Sequence, residues 1–332
     1  MEHVAVVIPA YNAAKTIEAT VRSALSQTAL PRQVIVVDDG SDDGTAEEMA
    51  RRAAEDPRLR YIRRTGDRGG ANVCRNLGVK NSTGEFIVFL DSDDLLAPDC
   101  LSRRVEIMQR NADLDFVTFQ TGVFVKAIGD LGRQLDPALL GDDLLRFLYF
   151  EPPWIITSPV WRRQSFLQLG MFDEALKSWQ DLELHIRALT AGLHYVRFTD
   201  VDHHVRWQHD VTKVSIEQRR SPQHLDAALD VLEKIERLVR QGPGMNWVRL
   251  RALCGLYFFV AQCWVEMGKF SRGLQVWRRV AGRASPGLRL SGSILLGLQA
   301  CHFPGYFRII NKWKGKVRMR TNPEILAEQA LK

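Results

Sequence analysis

The sequence predicts an α/β protein with a mainly parallel central sheet between helices and a helical region at its C-terminal end. Three observations carry this prediction. Short runs of β-branched and aromatic residues recur at 4–8, 34–37, 59–62 and 86–90, separated by stretches with helical spacing. Two of these runs stop abruptly in acids, at Asp38-Asp39 and at Asp91-Ser92-Asp93-Asp94. Beyond about residue 218 the alternation gives way to helical periodicity alone. The predicted division is therefore 1–218 for the α/β domain and 219–332 for the helical extension.

Bulk properties narrow the class. At 332 residues the chain exceeds the usual size of one domain, and its composition of 45% hydrophobic and 25% charged residues is ordinary for a globular protein. The net charge of +6 is modest, so the placement of basic residues matters more than their sum. Cys74, Cys100, Cys254, Cys263 and Cys301 are scattered and form no C-x-x-C pair, which argues for reduced thiols and against a zinc site. The chain enters a strand at once without signal-peptide character, so a cytoplasmic location is expected. The longest apolar run, 252–261, is too short to span a bilayer, and no integral membrane segment is expected.

Taken in order, the first strand at 4–8 ends at Pro9 and is followed by Tyr11-Asn12. Ile17, Val21, Ala24 and Leu25 then have the spacing of a helix packed on a sheet. The second strand leads into Asp38-Asp39-Gly40-Ser41, and a helix is predicted over 45–55. After the third strand, Gly69-Gly70 opens a helix that carries Arg75 and Asn76 and is expected to end at Gly78. The fourth strand, 86–90, then runs into three carboxylates within four positions. Acids at a buried strand end are costly unless something positive sits there. In a parallel sheet ligands bind beyond the carboxyl ends of the strands. A divalent cation with a phosphate-bearing substrate would account for the cluster, since hard cations take oxygen ligands; an acidic cap on the next helix is the other reading. No G-x-G-x-x-G follows the first strand and no G-x-x-x-x-G-K-[ST] occurs, which removes the dinucleotide and P-loop folds.

Four motifs in order, Val6-Val7-Ile8-Pro9-Ala10-Tyr11-Asn12, Val36-Val37-Asp38-Asp39-Gly40-Ser41, Arg75-Asn76-Leu77-Gly78 and the segment from Gly84 to Asp94, resemble the family 2 glycosyltransferases with the GT-A fold. The resemblance implies a nucleotide-sugar donor, usually a UDP-sugar, and Mn²⁺ or Mg²⁺ on a D-x-D motif. It places Pro9, Tyr11, Asp38 and Asp39 around the nucleoside, Arg75 on the nucleotide, and Asp91, with Ser92 beside it, at the ribose. Asp93 becomes the metal ligand. Asp94 is assigned to capping the following helix.

Farther along, a helix over 101–111 is expected to carry Arg103, Arg104, Glu106 and Arg110 on its outer face, with strands at 116–119 and 123–128. A hydrophobic patch at 144–150 suggests a helix on the acceptor side. The segment Gly170-Met171-Phe172-Asp173-Glu174, then Gln180-Asp181, resembles the family's G-x-F-D-E segment and the acid pair that supplies its catalytic base, with the first acid replaced by Gln180. The resemblance puts the base at Asp181, in a first helical turn that favours a carboxylate, with Glu183 as its competitor. It also makes His209 a candidate for the metal or diphosphate and Arg206 one for a phosphate. A single base and a single metal imply one displacement with inversion.

In the extension, an amphipathic helix is predicted over 221–240, and a helix-turn-helix with Met267-Gly268-Lys269 at its turn resembles one tetratricopeptide-like hairpin. Phe303, Tyr306, Phe307 and Trp313 interleave with Arg308, Lys312, Lys314, Lys316, Arg318 and Arg320. Aromatics among such charges suggest contact with an anionic membrane surface through 303–320, on the inner face of the plasma membrane, rather than with nucleic acid. The expected activity is transfer of a sugar to the hydroxyl of a glycan or lipid-linked acceptor in surface polysaccharide or glycan synthesis. The alternatives are a metal-dependent nucleotidyltransferase and a catalytically degenerate scaffold.

Overall fold

A computed structural model describes residues 4–135, 141–207, 221–301 and 309. The chain divides into two compact units. One gathers Met1–Ala138, Trp154–Leu184 and Ala191–Asp210; the other gathers Leu139–Pro153, His185–Thr190 and Val211–Lys332.

The first unit is built on one mixed sheet. Its elements begin β1 (Val4–Ala10), α1 (Ile17–Leu25), β2 (Gln33–Asp38), α2 (Thr45–Glu55), β3 (Leu59–Arg63), α3 (Ala71–Lys80) and β4 (Phe86–Phe89). They continue with β5 (Leu95–Leu96), α4 (Cys100–Arg110), β6 (Phe116–Phe124) and β7 (Arg133–Gln134). After α5 (Asp143–Leu148), which belongs to the second unit, come β8 (Pro159–Arg162), α6 (Arg163–Gln168), α7 (Gln180–Thr190), whose residues from His185 on are grouped with the second unit, and β9 (Tyr195–Arg206). Among the described residues the strand order is β3-β2-β1-β4-β8-β6-β9-β5, with β7 paired to β6. The first four positions are all parallel, while β8 runs against both its neighbours. Because β6 and β9 run with β4, their carboxyl ends reach the same sheet edge as those of β1, β2 and β4.

Burial explains why these stretches become strands. Every residue of β1, β4 and β6 is buried, as expected for strands covered on both faces. The two strands expected at 116–119 and 123–128 are replaced by one strand, β6, which ends at Phe124, so 125–128 are not strand. Gly78 does not end α3 but lies within it. A Cβ at this position would stand 2.3 Å from Val7 Cγ1, so the absent side chain lets the helix lie against β1.

Arg104 also departs from expectation. It is fully buried rather than on the outer face of α4. Its Nε and Nη2 donate to the two oxygens of Asp202 at 2.8 Å each, and Nη1 donates to the Thr157 carbonyl at 3.1 Å. His203 lies 2.8 Å from Asp202 through Nδ1 and 2.8 Å from Thr121 Oγ1 through Nε2. Burial holds the imidazole below its ordinary pKa, against the pull of Asp202. The Arg104 guanidinium keeps Asp202 well below the carboxylate range despite burial that acts the other way.

The second unit is helical, with α8 (Pro222–Gln241), α9 (Trp247–Glu266), α10 (Phe270–Ala281) and α11 (Pro286–Ala300). The predicted hairpin turn is present, with Gly268 at φ +75°. Contrary to the expectation from contiguous runs, α9 is long and apolar enough to cross a membrane by length and composition. Its buried residues occur on all sides, from Ala252 to Val265, and it packs on α5, α8, α10 and α11 of its own unit. That is how an all-round apolar core helix is accommodated. Phe258 meets Trp277 edge-on at 5.5 Å, and Gly292 leaves room for the same indole.

Replacing Arg104 with Leu would leave Asp202 buried without its counter-charge. The expected cost is ~3–5 kcal/mol of stability, read as a lower midpoint in denaturant unfolding of the full chain; an unchanged midpoint would contradict the structural role.

Candidate functional site

Parallel pairing brings three loop entries together. Ala10 stands opposite Asp38, and Val7 opposite Phe89. The chain continues the register past the strands, with Asp39 N donating to Ala10 O at 2.9 Å and Leu90 N to Val7 O at 3.0 Å. At this edge lies a cleft of about 310 Å³. Of the residues nominated from sequence, Pro9, Tyr11, Asp39, Arg75, Asp91, Ser92 and Asp93 line it.

Asp38 does not. It is fully buried, and one carboxylate oxygen accepts from Ser41 N at 3.0 Å and Ser41 Oγ at 2.5 Å, the other from Tyr61 OH at 2.7 Å. Adjacent positions at a strand end point to opposite sides, so Asp38 closes the turn after β2 while Asp39 faces the cleft. The expected nucleoside contact at Asp38 is thus replaced by a turn-forming role.

The Asp39 carboxylate accepts from Gly69 N at 3.1 Å and Gly70 N at 2.8 Å and pairs with Arg64. Burial opposes its ionisation, but these donors outweigh burial and hold its pKa below the ordinary value. Gly70, at φ +80°, turns the loop into α3.

On α3, Arg75 is 4% exposed and donates through Nη2 to Asp91 at 2.6 Å. Its guanidinium lies 5.2 Å from the Phe172 ring centroid, and its Nε and Nη1 find no hydrogen-bond partner among the described residues. Two buried donors without acceptors on a cleft wall fit an oxyanion ligand. Burial works against its charge, but Asp91 and then Asp181 raise its pKa. Asp181, in the first turn of α7, is therefore within the electrostatic reach of Arg75, although it does not line the cleft itself. Cys74 does line it, yet burial first, then Asp39, pushes the thiol up to about 12, so it stays protonated and is no nucleophile.

The acid cluster after β4 divides in the same way. Asp91 keeps 37% of its side chain exposed and Asp93 lines the cleft. Asp94 turns inward, accepting from Arg206 N at 3.1 Å and Thr157 Oγ1 at 3.5 Å. Burial, then Asp91 and Asp93, raises its pKa well above the carboxylate range. It caps no helix, since α4 begins six residues later at Cys100. Arg206 is likewise structural: its Nε donates to Asp93 O at 3.2 Å, its Nη1 to Val125 O at 3.1 Å, and it stacks 4.5 Å from the Phe124 centroid. His209 lies outside the described residues.

Sequence reading gave no role to the residues that bring Asp181 to this edge. Asn76 Nδ2 donates to Phe172 O and to Glu174 Oε1, both at 2.9 Å, and its Oδ1 accepts from Phe172 N at 3.0 Å. Asn72 Nδ2 donates to Asp173 O at 2.9 Å. Together they tie α3 to the loop that ends at Trp179, whose φ of +51° turns the chain into α7. Two asparagines among apolar helix positions were the available signal. Arg68 was also missed; it is a charged residue in a polar loop.

The α/β sheet thus gathers acids and a buried arginine at one carboxyl edge, and comparisons with known proteins bear on what such an edge is for. Residues 5–151, somewhat under half of the chain, match the family model described as Glycosyl transferase family 2. It is 34% identical over 198 residues to the succinoglycan biosynthesis protein ExoO of Rhizobium meliloti, covering 56% of this chain and 55% of that protein. It is 35% identical over 117 residues to the putative teichuronic acid biosynthesis glycosyltransferase TuaG of Bacillus subtilis, covering 35% and 46%. An uncharacterized glycosyltransferase of Rickettsia felis is 29% identical over 205 residues, 58% of this chain and 32% of that one. The chain thus spans about a third to about half of these relatives' own length. The GT-A fold is shared with S. aureus TarS 1-349 in complex with UDP-GlcNAc, at a TM-score of 0.64 and 17% identity over 93% of this chain and 90% of that one.

Asp39→Asn should loosen the loop at Gly69 and Gly70, at a cost of ~1.5–3 kcal/mol for a hydrogen-bonded charge. Since the folded pKa lies below the unfolded one, this stabilisation is present above about pH 4 and is lost as pH falls through the folded value. Thermal melts of both proteins should therefore differ at pH 7 and converge in acid; a gap that widens in acid would refute the assignment.

Proposed function

We propose that the chain is a metal-dependent, inverting glycosyltransferase that takes a sugar from a nucleotide-diphosphate donor, a UDP-sugar, and places it on an acceptor hydroxyl in bacterial surface polysaccharide synthesis. The observation that carries this reading is the cleft that joins Tyr11, Arg75, Asp91 and Asp93 at one sheet edge. The names of ExoO and TuaG, and the UDP-GlcNAc complex of TarS, support the pathway and donor class.

The donor set suits Mn²⁺ or Mg²⁺. Among the described residues no group of three or more His, Cys, Asp and Glu is arranged to hold a metal. Such cations in phosphate sites are commonly held by one or two carboxylates with substrate phosphates completing the shell. Asp93 would be the protein ligand, with Asp91 beside it at the ribose and His209 a further candidate. When bound, the cation would offset the negative charge that builds on the departing diphosphate.

The chain's own groups supply the rest. Tyr11 and Pro9 offer a flat wall for the base. Arg75 directs two donors to the diphosphate. Asp181 accepts the acceptor hydroxyl's proton while that oxygen forms its bond to the anomeric carbon from the side opposite the diphosphate. The bond from the anomeric carbon to the diphosphate oxygen breaks with its electron pair on the leaving group, which inverts the configuration. With the Cys74 thiol protonated, no covalent intermediate is assigned.

The acceptor is proposed to be a glycan or lipid-linked oligosaccharide met at the inner face of the plasma membrane. The basic and aromatic segment 303–320 supports this reading by composition; apart from Ile309 it lies outside the described residues. Deleting 303–320 should abolish co-sedimentation with anionic liposomes, and undiminished binding would remove the membrane element from the proposal.

Asp181→Asn and Asp93→Ala should each lower sugar transfer, the former by roughly 10²–10⁴-fold as expected for loss of a general base. A thermal-shift screen of nucleotide sugars with and without Mn²⁺ should show a metal-dependent shift for one donor class. If both variants keep full transfer, the site assignment is wrong; if no nucleotide sugar shifts the melt, the donor reading fails.

A further inference from the structure

Two planar groups lie face to face in the cleft. Arg68, in the loop between β3 and α3, places its guanidinium carbon 3.4 Å from the centroid of the Tyr11 ring. That is stacking distance, so the guanidinium covers this face of the ring much as a base would. Both residues line the cleft and both are exposed, Tyr11 to 38%.

Two other arginines at the cleft, unlike Arg68, have carboxylate partners. Arg75 pairs with Asp91, and Arg64 with Asp39. Among the described residues Arg68 makes no ion pair or hydrogen bond, and the Tyr11 ring is its one recorded partner. Among the described residues it is thus a cation on the cleft wall that forms no ion pair.

Its place is set by the backbone on both sides of the contact. The two residues after Arg68 give their amides to Asp39, and a Cβ on Gly69 would stand 2.8 Å from the Arg64 guanidinium. Tyr11 is fixed by the turn at Asn12, φ +49°, whose amide donates to Ser41 Oγ at 2.9 Å. The anchors are hydrogen-bonded while the Arg68 side chain itself is exposed.

We propose that Arg68 is an exchangeable clamp that makes the cleft selective for a nucleoside diphosphate over the bare nucleoside. With no donor bound, the guanidinium covers the Tyr11 face. A nucleobase takes that face, and the displaced cation pairs with the diphosphate. A nucleoside must displace Arg68 without this return, whereas a diphosphate ligand regains more than the displaced contact was worth. An exposed cation–π contact corresponds to about a two- to five-fold change in an equilibrium, and a charge-assisted bond to phosphate to about ten-fold or more. The inference rests on the nucleotide-diphosphate reading of the cleft.

The test is to titrate UDP and uridine into the full chain and into Arg68→Ala and Arg68→Lys, followed by ligand-observed NMR. Arg68→Ala should weaken UDP by about ten-fold and tighten uridine by about two- to five-fold. Arg68→Lys, which keeps the charge but not the planar stack, should retain most of the UDP affinity and tighten uridine. Equal shifts for both ligands in Arg68→Ala, or unchanged UDP binding, would overturn the clamp while leaving the nucleotide reading intact. A wild-type chain that binds neither UDP nor uridine would overturn both.

Discussion

The carboxylate of Asp39 is the constraint on which the cleft depends. Strand ends alone do not make a site, because the loops that follow them must be fixed. Asp39 fixes one by accepting the amides of Gly69 and Gly70 and pairing with Arg64. That anchor sets where α3 begins, and α3 carries Arg75 to Asp91 and Asn72 and Asn76 to the 172–176 loop. This loop in turn leads to Asp181. A buried acid is costly in itself, but here the donors that hold the loop also hold the charge. One carboxylate thereby positions a cation, a second acid and the entry to a third.

The opposite side of the cleft depends on a different buried charge. Arg104 grips Asp202 with two hydrogen bonds and ties α4 to β9. The same strand ends at Arg206, whose amide donates to the Asp94 carboxylate and whose side chain donates to the Asp93 carbonyl. Ser158 Oγ lies 3.2 Å from His203 Nε2, and His203 lies 2.8 Å from Asp202, spacings that a hydrolytic triad would also show. All three residues are fully buried and Asp202 already serves Arg104 in both oxygens, so no substrate reaches them. Distances within a constellation identify chemistry only where the constellation opens to a ligand.

Much of this was legible in the sequence because it is written in local patterns. The apolar runs marked β1, β2, β3 and β4, and the acids after β2 and β4 marked the edge where the cleft lies. What could not be read depends on partners distant in the chain. Arg104 looks like a surface residue on its helix, since Asp202 is 98 positions away. Gly78 looks like a helix end, since Val7, which needs its missing side chain, lies on another element. Asn72 and Asn76 acquire a role only once the loop near Phe172 is beside them. The opposite directions of Asp38 and Asp39 were available from strand alternation, although the motif treats the two acids as a pair. The length of α9 was hidden because polar residues interrupt its runs without lowering its mean hydropathy below that of a spanning helix.

The acids at the sheet edge are therefore not one cluster but two layers. Asp38, Asp39 and Asp94 direct their carboxylates to protein donors: a turn after β2, the loop before α3, and the end of β9. Asp91 and Asp93 line the cleft in front of Asp38 and Asp94, and Asp39 reaches the same wall. The inner layer gives the outer one its geometry before any ligand arrives. Electrostatic stabilisation of a departing group is effective when the groups that provide it need not reorganise during reaction. The outer carboxylates stand on loops already held by hydrogen-bonded carboxyl groups. A change in the inner layer should therefore disturb chemistry through position, whereas a change in the outer layer should remove a contact outright.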